Sequence, residues 1–138
     1  MSHKNVAQAY ASMGVESEVL SASPHRLIAL LFDCADRKMR AAGLHMQAGR
    51  TARKAEEISR TLDIVNNGLL AALDKERGGD MAEQLASIYD YVATRLMQAN
   101  ARNDIEALEE ARVLLSDIGS AWREIAPGAG QDSHGRQE

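Results

Sequence analysis

Apolar residues recur at spacings of three and four over four long stretches of this chain, and short polar or glycine-containing breaks separate them. From residue 24 to about 47, Leu27, Leu30, Leu31, Cys34, Ala41 and Ala42 form one helical stripe, and Ile28, Ala35, Met39 and Met46 form a second beside it. Two stripes make a wide apolar arc, so this first helix is expected to be central and to touch more than one neighbour. Ser23-Pro24 marks its start. Proline has no N–H to leave unpaired and a φ already near the helical value, and it biases Ser23 toward the extended conformation in which a hydroxyl caps an orphan N–H.

Gly49 marks a tight connection to a second helix, about 51 to 73, in which Ala55, Ile58, Leu62, Val65, Leu69 and Leu73 make one bundle seam. Asn66-Asn67-Gly68 has the chemistry of a turn, yet the seam passes through it without a phase break. The helix is therefore expected to continue, with Gly68 costing about 1 kcal/mol relative to alanine. Glu76-Arg77-Gly78-Gly79-Asp80 is expected to end it, the glycines supplying positive φ and Asp80 capping the next helix. The third helix, about 81 to 100, carries Leu85, Ile88, Tyr89, Val92, Leu96 and Ala99, with Asn100 as its stop. Asn103 or Asp104 caps the fourth, where Ile105, Leu108, Ala111, Leu115, Ile118, Trp122 and Ile125 repeat until Pro127 closes it.

Four such helices joined by short loops predict an all-α fold, an antiparallel up-down-up-down four-helix bundle. Before it, Val6, Ala9, Tyr10 and Met13 have helical spacing over only two turns, so residues 1–22 are expected to form a short N-terminal helical arm that persists by docking on the body. Residues 23–126 are the bundle. Residues 127–138 are polar, glycine-rich and aperiodic, and are expected to be a disordered tail.

Composition agrees with helices: 45% of the 138 residues are apolar, only 4% are aromatic, and there are two prolines. The net charge of −4 is unevenly spread, with nine Lys and Arg against six Asp and Glu in residues 1–60, and seven against fourteen in the rest. The basic half includes Arg37, Lys38, Arg40, Arg50, Arg53, Lys54 and Arg60, but no aromatics interleave for base stacking, so a solvated helix face is expected and no nucleic-acid partner. The single cysteine, Cys34, excludes a disulfide framework or a CxxC site. No apolar run approaches a membrane span and no leader pattern opens the chain, so a cytoplasmic protein without a membrane partner is expected.

The candidate chemistry is thin. Neither His25 nor His45 has Glu three residues before it, as a carboxylate-bridged metal bundle requires, and His3 and His134 lie near the ends. No Ser/His/Asp or Cys/His set can be assembled. No enzyme activity, metal or other cofactor is expected. His45 is the one candidate for a histidine phosphotransfer-type signalling bundle, and a structural helical oligomer held by the same stripes is the other alternative.

Several fragments, in order, decide between these: Val19-x-x-Ala22-Ser23-Pro24-x-x-Leu27-Ile28-x-Leu30-Leu31-Phe32-Asp33, Leu73-Asp74, Gly78-Gly79-x-Met81-Ala82-x-x-Leu85, Ile88-Tyr89-Asp90-Tyr91, Arg95-Leu96-x-x-Ala99-Asn100, and Leu115-x-x-Ile118-x-x-x-Trp122. Together they resemble the flagellar secretion chaperone FliS family, from Tyr10 to about Trp122. Phe32-Asp33-Cys34 stands where the family usually has Tyr-Asp-Gly. The resemblance implies a cytoplasmic export chaperone without ATP hydrolysis. Such a protein binds the disordered C-terminal segment of flagellin, blocks premature polymerisation and assists delivery to the flagellar type III export apparatus. It also makes the export gate and flagellar regulatory proteins further candidate partners. With the surplus apolar surface of the first helix and the off-seam Leu70, Tyr91 and Leu114, it leads to a candidate binding set of Val6, Tyr10, Leu27, Leu31, Leu70, Tyr89, Tyr91, Leu96 and Leu114.

Overall fold

The computed structural model describes residues 23–125, and the expected arm and tail lie outside them. Within that span are four α-helices, α1 (Pro24–Gln47), α2 (Thr51–Asp63), α3 (Lys75–Arg102) and α4 (Ile105–Glu124), with a π-helix, Ile64–Leu70, continuing α2. No strand occurs among the described residues. Helix α1 packs on α2 and α4, α3 packs on α4, and the π-helix touches both α1 and α3.

The capping logic of the sequence is realised at two starts. The Ser23 hydroxyl accepts from the Arg26 N–H with Pro24 at the first helical position. The Asp104 carboxylate accepts from the N–H groups of Glu106 and Ala107, a contact typically worth about 1 kcal/mol. The third helix does not stop at Asn100. It runs to Arg102 and ends on Asn103 in the left-handed region (φ 52°), which asparagine tolerates better than most residues, with the N–H groups of Asn103 and Asp104 both returning to the Ala99 carbonyl.

The second helix departs furthest from expectation. The seam is not carried through as one α-helix: after Asp63 the backbone widens into the π-helix, and Ile64, Val65, Gly68 and Leu69 all turn inward while Leu62, Leu70 and Leu73 are left half-buried. This segment meets two neighbouring helices at once, so it buries a broader face than one seam supplies. Asp74, not Asp80, provides the next capping carboxylate, accepting from the Arg77 N–H. The helix it starts is broken at Gly79 (φ 53°, ψ −129°), so the Gly-Gly pair works as a kink one turn in.

The core is one cluster, centred on Leu31, Met39, Ile58, Ile64, Leu96, Leu108 and Leu115. Both stripes of α1 serve it: Ala35, Met39 and Met46 are as buried as Leu30, Leu31 and Cys34. The wide apolar arc therefore widens the core and leaves no groove along α1. Ile105 and Ile125, expected on the α4 seam, are 42% and 38% exposed because the helix ends run past the neighbours that would cover them. Gly119 permits the closest approach of α1 to α4, where an added Cβ would sit 3.1 Å from Phe32. Lys54 is buried, its ammonium donating to the Asn100 carbonyl (3.0 Å) and to the side-chain oxygen of Asn103 (3.3 Å), and it supplies the C-terminus of α3 with a cation.

Candidate partner-binding surface

Large apolar side chains left at the surface are the raw material of a docking site, and here they are Leu44, Met81, Tyr91, Met97, Ile105, Val113 and Ile125. Each is isolated on a helix whose opposite side is buried, so exposure follows from helical phase. Tyr91 is the best ordered of them. Its hydroxyl donates to the Glu110 carboxylate (2.9 Å), and the Arg95 guanidinium donates to the same carboxylate (2.7 Å) while also holding Gln98. The Glu110 carboxylate accepts the phenolic proton and pushes the Tyr91 pKa above its ordinary value. The exposed ring is thus fixed across the α3–α4 line, with Val113 and half-buried Leu114 one turn further along α4. An aromatic ring and an arginine held in place beside aliphatic surface is the composition of interface hot spots.

The other candidate residues are not brought to that line. Leu31 and Leu96 have no exposed surface and Tyr89 is 3% exposed, so all three are core residues here. Burial pushes the Tyr89 phenol up to about 12. Leu27 is half-buried on the first turn of α1, and Leu70 is half-buried at the end of the π-helix. Val6 and Tyr10 lie outside the described residues. Sequence reasoning missed Met81, Met97 and Val113, whose signal is only their place off the apolar stripe of their helices.

Beside Leu27, the two ends of the described chain are clasped. The indoles and imidazoles stack, with the His25 and Trp122 rings 4.8 Å apart and 17° from parallel. The Trp122 N–H donates to the His25 carbonyl (3.0 Å) and His25 Nε2 lies 3.0 Å from the Trp122 carbonyl, which can only accept, so that nitrogen carries the proton. The neighbouring Arg123–Asp33 ion pair ties the same two helices. Further along, Arg112 bridges Glu109 on its own helix and Asp36 on α1, holding the Glu109 carboxyl below its ordinary range.

Reactive chemistry is not built into this frame. Burial pushes the Cys34 thiol up, with Lys38 and Arg37 only partly opposing it. His45 Nδ1 is buried without a hydrogen-bond partner, so it offers no accessible nitrogen for phosphotransfer at that atom. Among the described residues no group of three or more His, Cys, Asp or Glu is placed to hold a metal ion, and no helix is long and apolar enough to cross a membrane.

The family model described as "Flagellar protein FliS" matches residues 6–129. The chain belongs to the FliS family. It is 48% identical over 122 residues to the flagellar secretion chaperone FliS of Salmonella typhimurium, covering 88% of this chain and 90% of that protein. It is 40% identical over 127 residues to the flagellar secretion chaperone FliS of Escherichia coli, covering 91% and 93%. A match at 25% identity extends to the FliS of Bacillus subtilis, covering 87% and 88%. The FliS match begins at Val6 and so includes both arm residues of the candidate set, and it ends beyond the last described helix.

Proposed function

We propose that this protein is a cytoplasmic export chaperone that binds the disordered C-terminal segment of flagellin, prevents its premature polymerisation and assists its delivery to the flagellar type III export apparatus. The observation that carries the reading is the 48% identity, over nearly the whole of both chains, to a protein named a flagellar secretion chaperone. The fixed Tyr91 ring with Val113 and Leu114 along α3–α4 supports it, because an amphipathic segment folding from disorder needs an ordered apolar line flanked by polar anchors.

The helices act in this reading as an antiparallel up-down-up-down bundle. That arrangement is supported by the facing of His25 with Trp122, Phe32 with Gly119, and Asp36 with Arg112, which reverses α4 relative to α1. Residues 1–22 form a docking arm, residues 23–126 the bundle, and residues 127–138 a tail. The phosphotransfer alternative loses its candidate with the burial of His45 Nδ1.

Calorimetric titration against a peptide of the flagellin C-terminus tests the function. A roughly 1:1 complex is expected, with a negative heat-capacity change from apolar burial and a gain of helix by circular dichroism as the peptide orders. Binding without either signature, or no binding, rules the reading out. A concentration-dependent mass with no flagellin affinity would favour the structural oligomer.

A further inference from the structure

The stretch Ile64–Leu70 departs from the α-helical register that its own sequence supports. In a plain α-helix Leu62, Val65, Leu69 and Leu73 follow one another at spacings of three and four, and Leu70 falls outside that stripe. The chain takes a π-helix instead, in which Ile64 and Gly68 join Val65 and Leu69 inside and Leu70 is held half-buried. A π turn closes on the fifth residue where an α turn closes on the fourth. Relaxing it to α therefore rotates everything downstream by one residue, about 100° at 3.6 residues per turn. We propose that Ile64–Leu70 is a two-register switch. The π register withdraws Leu70 against the bundle, and conversion to the α register turns it outward, where it joins the apolar surface that receives the partner.

Four features of the segment fit a switch. Both registers have an inward apolar set, so neither is excluded by burial. The wide turn is bounded by ordinary helical backbone, with Ile64 at φ −62°, ψ −44° and Ala71 at φ −65°, ψ −24°. Asn66, Asn67 and Gly68 are weak helix formers, so local propensity locks neither state. Downstream, the break at Gly79 (φ 53°) sits between this segment and the body of α3 and can absorb a rotation without turning that helix.

The partner half of the proposal rests on the flagellin reading, and the test separates the two. Asn66 is exposed, and deleting it removes the extra residue of the wide turn. Thr61, Ile64, Val65, Gly68 and Leu69 then fall three or four apart in a plain α-helix, with Leu70 still in its half-buried place, so the variant is locked in the present orientation. It is expected to fold and melt no lower than the parent. Its amides from Val65 to Leu73 should exchange more slowly, and it should bind the flagellin C-terminal peptide about tenfold more weakly, the scale set by losing one leucine from an apolar interface. Leu70→Ala should weaken the parent by a similar factor and add nothing in the deletion background. A deletion variant that unfolds, exchanges as fast as the parent or binds as tightly overturns the switch. A parent that does not bind the peptide sinks the flagellin reading, and hydrogen exchange then decides the switch alone.

Discussion

Replacing Trp122 with alanine removes three things at once from the joint between the start of α1 and the end of α4. The first is packing. Trp122 is half-buried against the core, so roughly 100 Å² of its apolar surface is returned to water, worth about 2.5 kcal/mol at ~25 cal/mol per Å². The second is the indole N–H bond to the His25 carbonyl, about 1 kcal/mol net. The third is the ring stack with His25, about 0.5 kcal/mol at a site open to solvent. Because the position opens to water, the void hydrates and no closed cavity is added, so the total expected is about 3 to 4 kcal/mol. Urea unfolding at constant m would report it as a midpoint lowered by about 1 to 3 M. Trp122→Phe, which keeps a ring and loses the donor, should recover more than half of that. A loss below 1 kcal/mol for the alanine variant, or equal losses for both variants, would refute the idea that this clasp closes the bundle end.

The Tyr89 phenol, raised to about 12 in the folded chain against about 10 when unfolded, stabilises the fold fully below pH 10 and loses that contribution as pH rises toward 12. Urea unfolding at pH 9 and at pH 11.5 should therefore show a fall of roughly 2 kcal/mol that Tyr89→Phe reduces; an unchanged slope in that variant would contradict the assignment. Gly119→Ala should destabilise by about 1 kcal/mol, because pressing a methyl onto buried Phe32 outweighs the gain in helix propensity, and a raised melting temperature would show that Phe32 can move aside. Deleting residues 1–14 should tighten or speed flagellin-peptide binding if Val6, Tyr10 and Met13 cover the partner surface, with amides of Val6 to Met13 losing protection on peptide binding. A gain of protection, with weaker binding after deletion and in Tyr10→Ala, would instead make the arm part of that surface.

The sequence by itself determined where helices start and most of what they bury. Ser23-Pro24 and Asp104 act through hydrogen bonds to N–H groups two or three residues away, and the periodic positions Ile58, Val65, Val92, Leu96, Leu108, Ala111 and Leu115 are inside because a helix repeats on a local length scale. Only the tertiary structure decided the rest, because a residue's last few ångströms of environment come from chain that is distant in sequence. His25 and Trp122 meet across 97 residues, Tyr91 is fixed by a carboxylate on another helix, and Lys54 is buried because two acceptors at the far end of α3 replace its water. The π turn has the same origin. One seam reads as continuous α until the segment must face α1 and α3 together, and then the wider turn buries more than the local pattern announces. The candidate surface followed the same division: Leu31, Tyr89 and Leu96 were legible as apolar, but whether an apolar residue serves core or partner depends on which neighbour covers it.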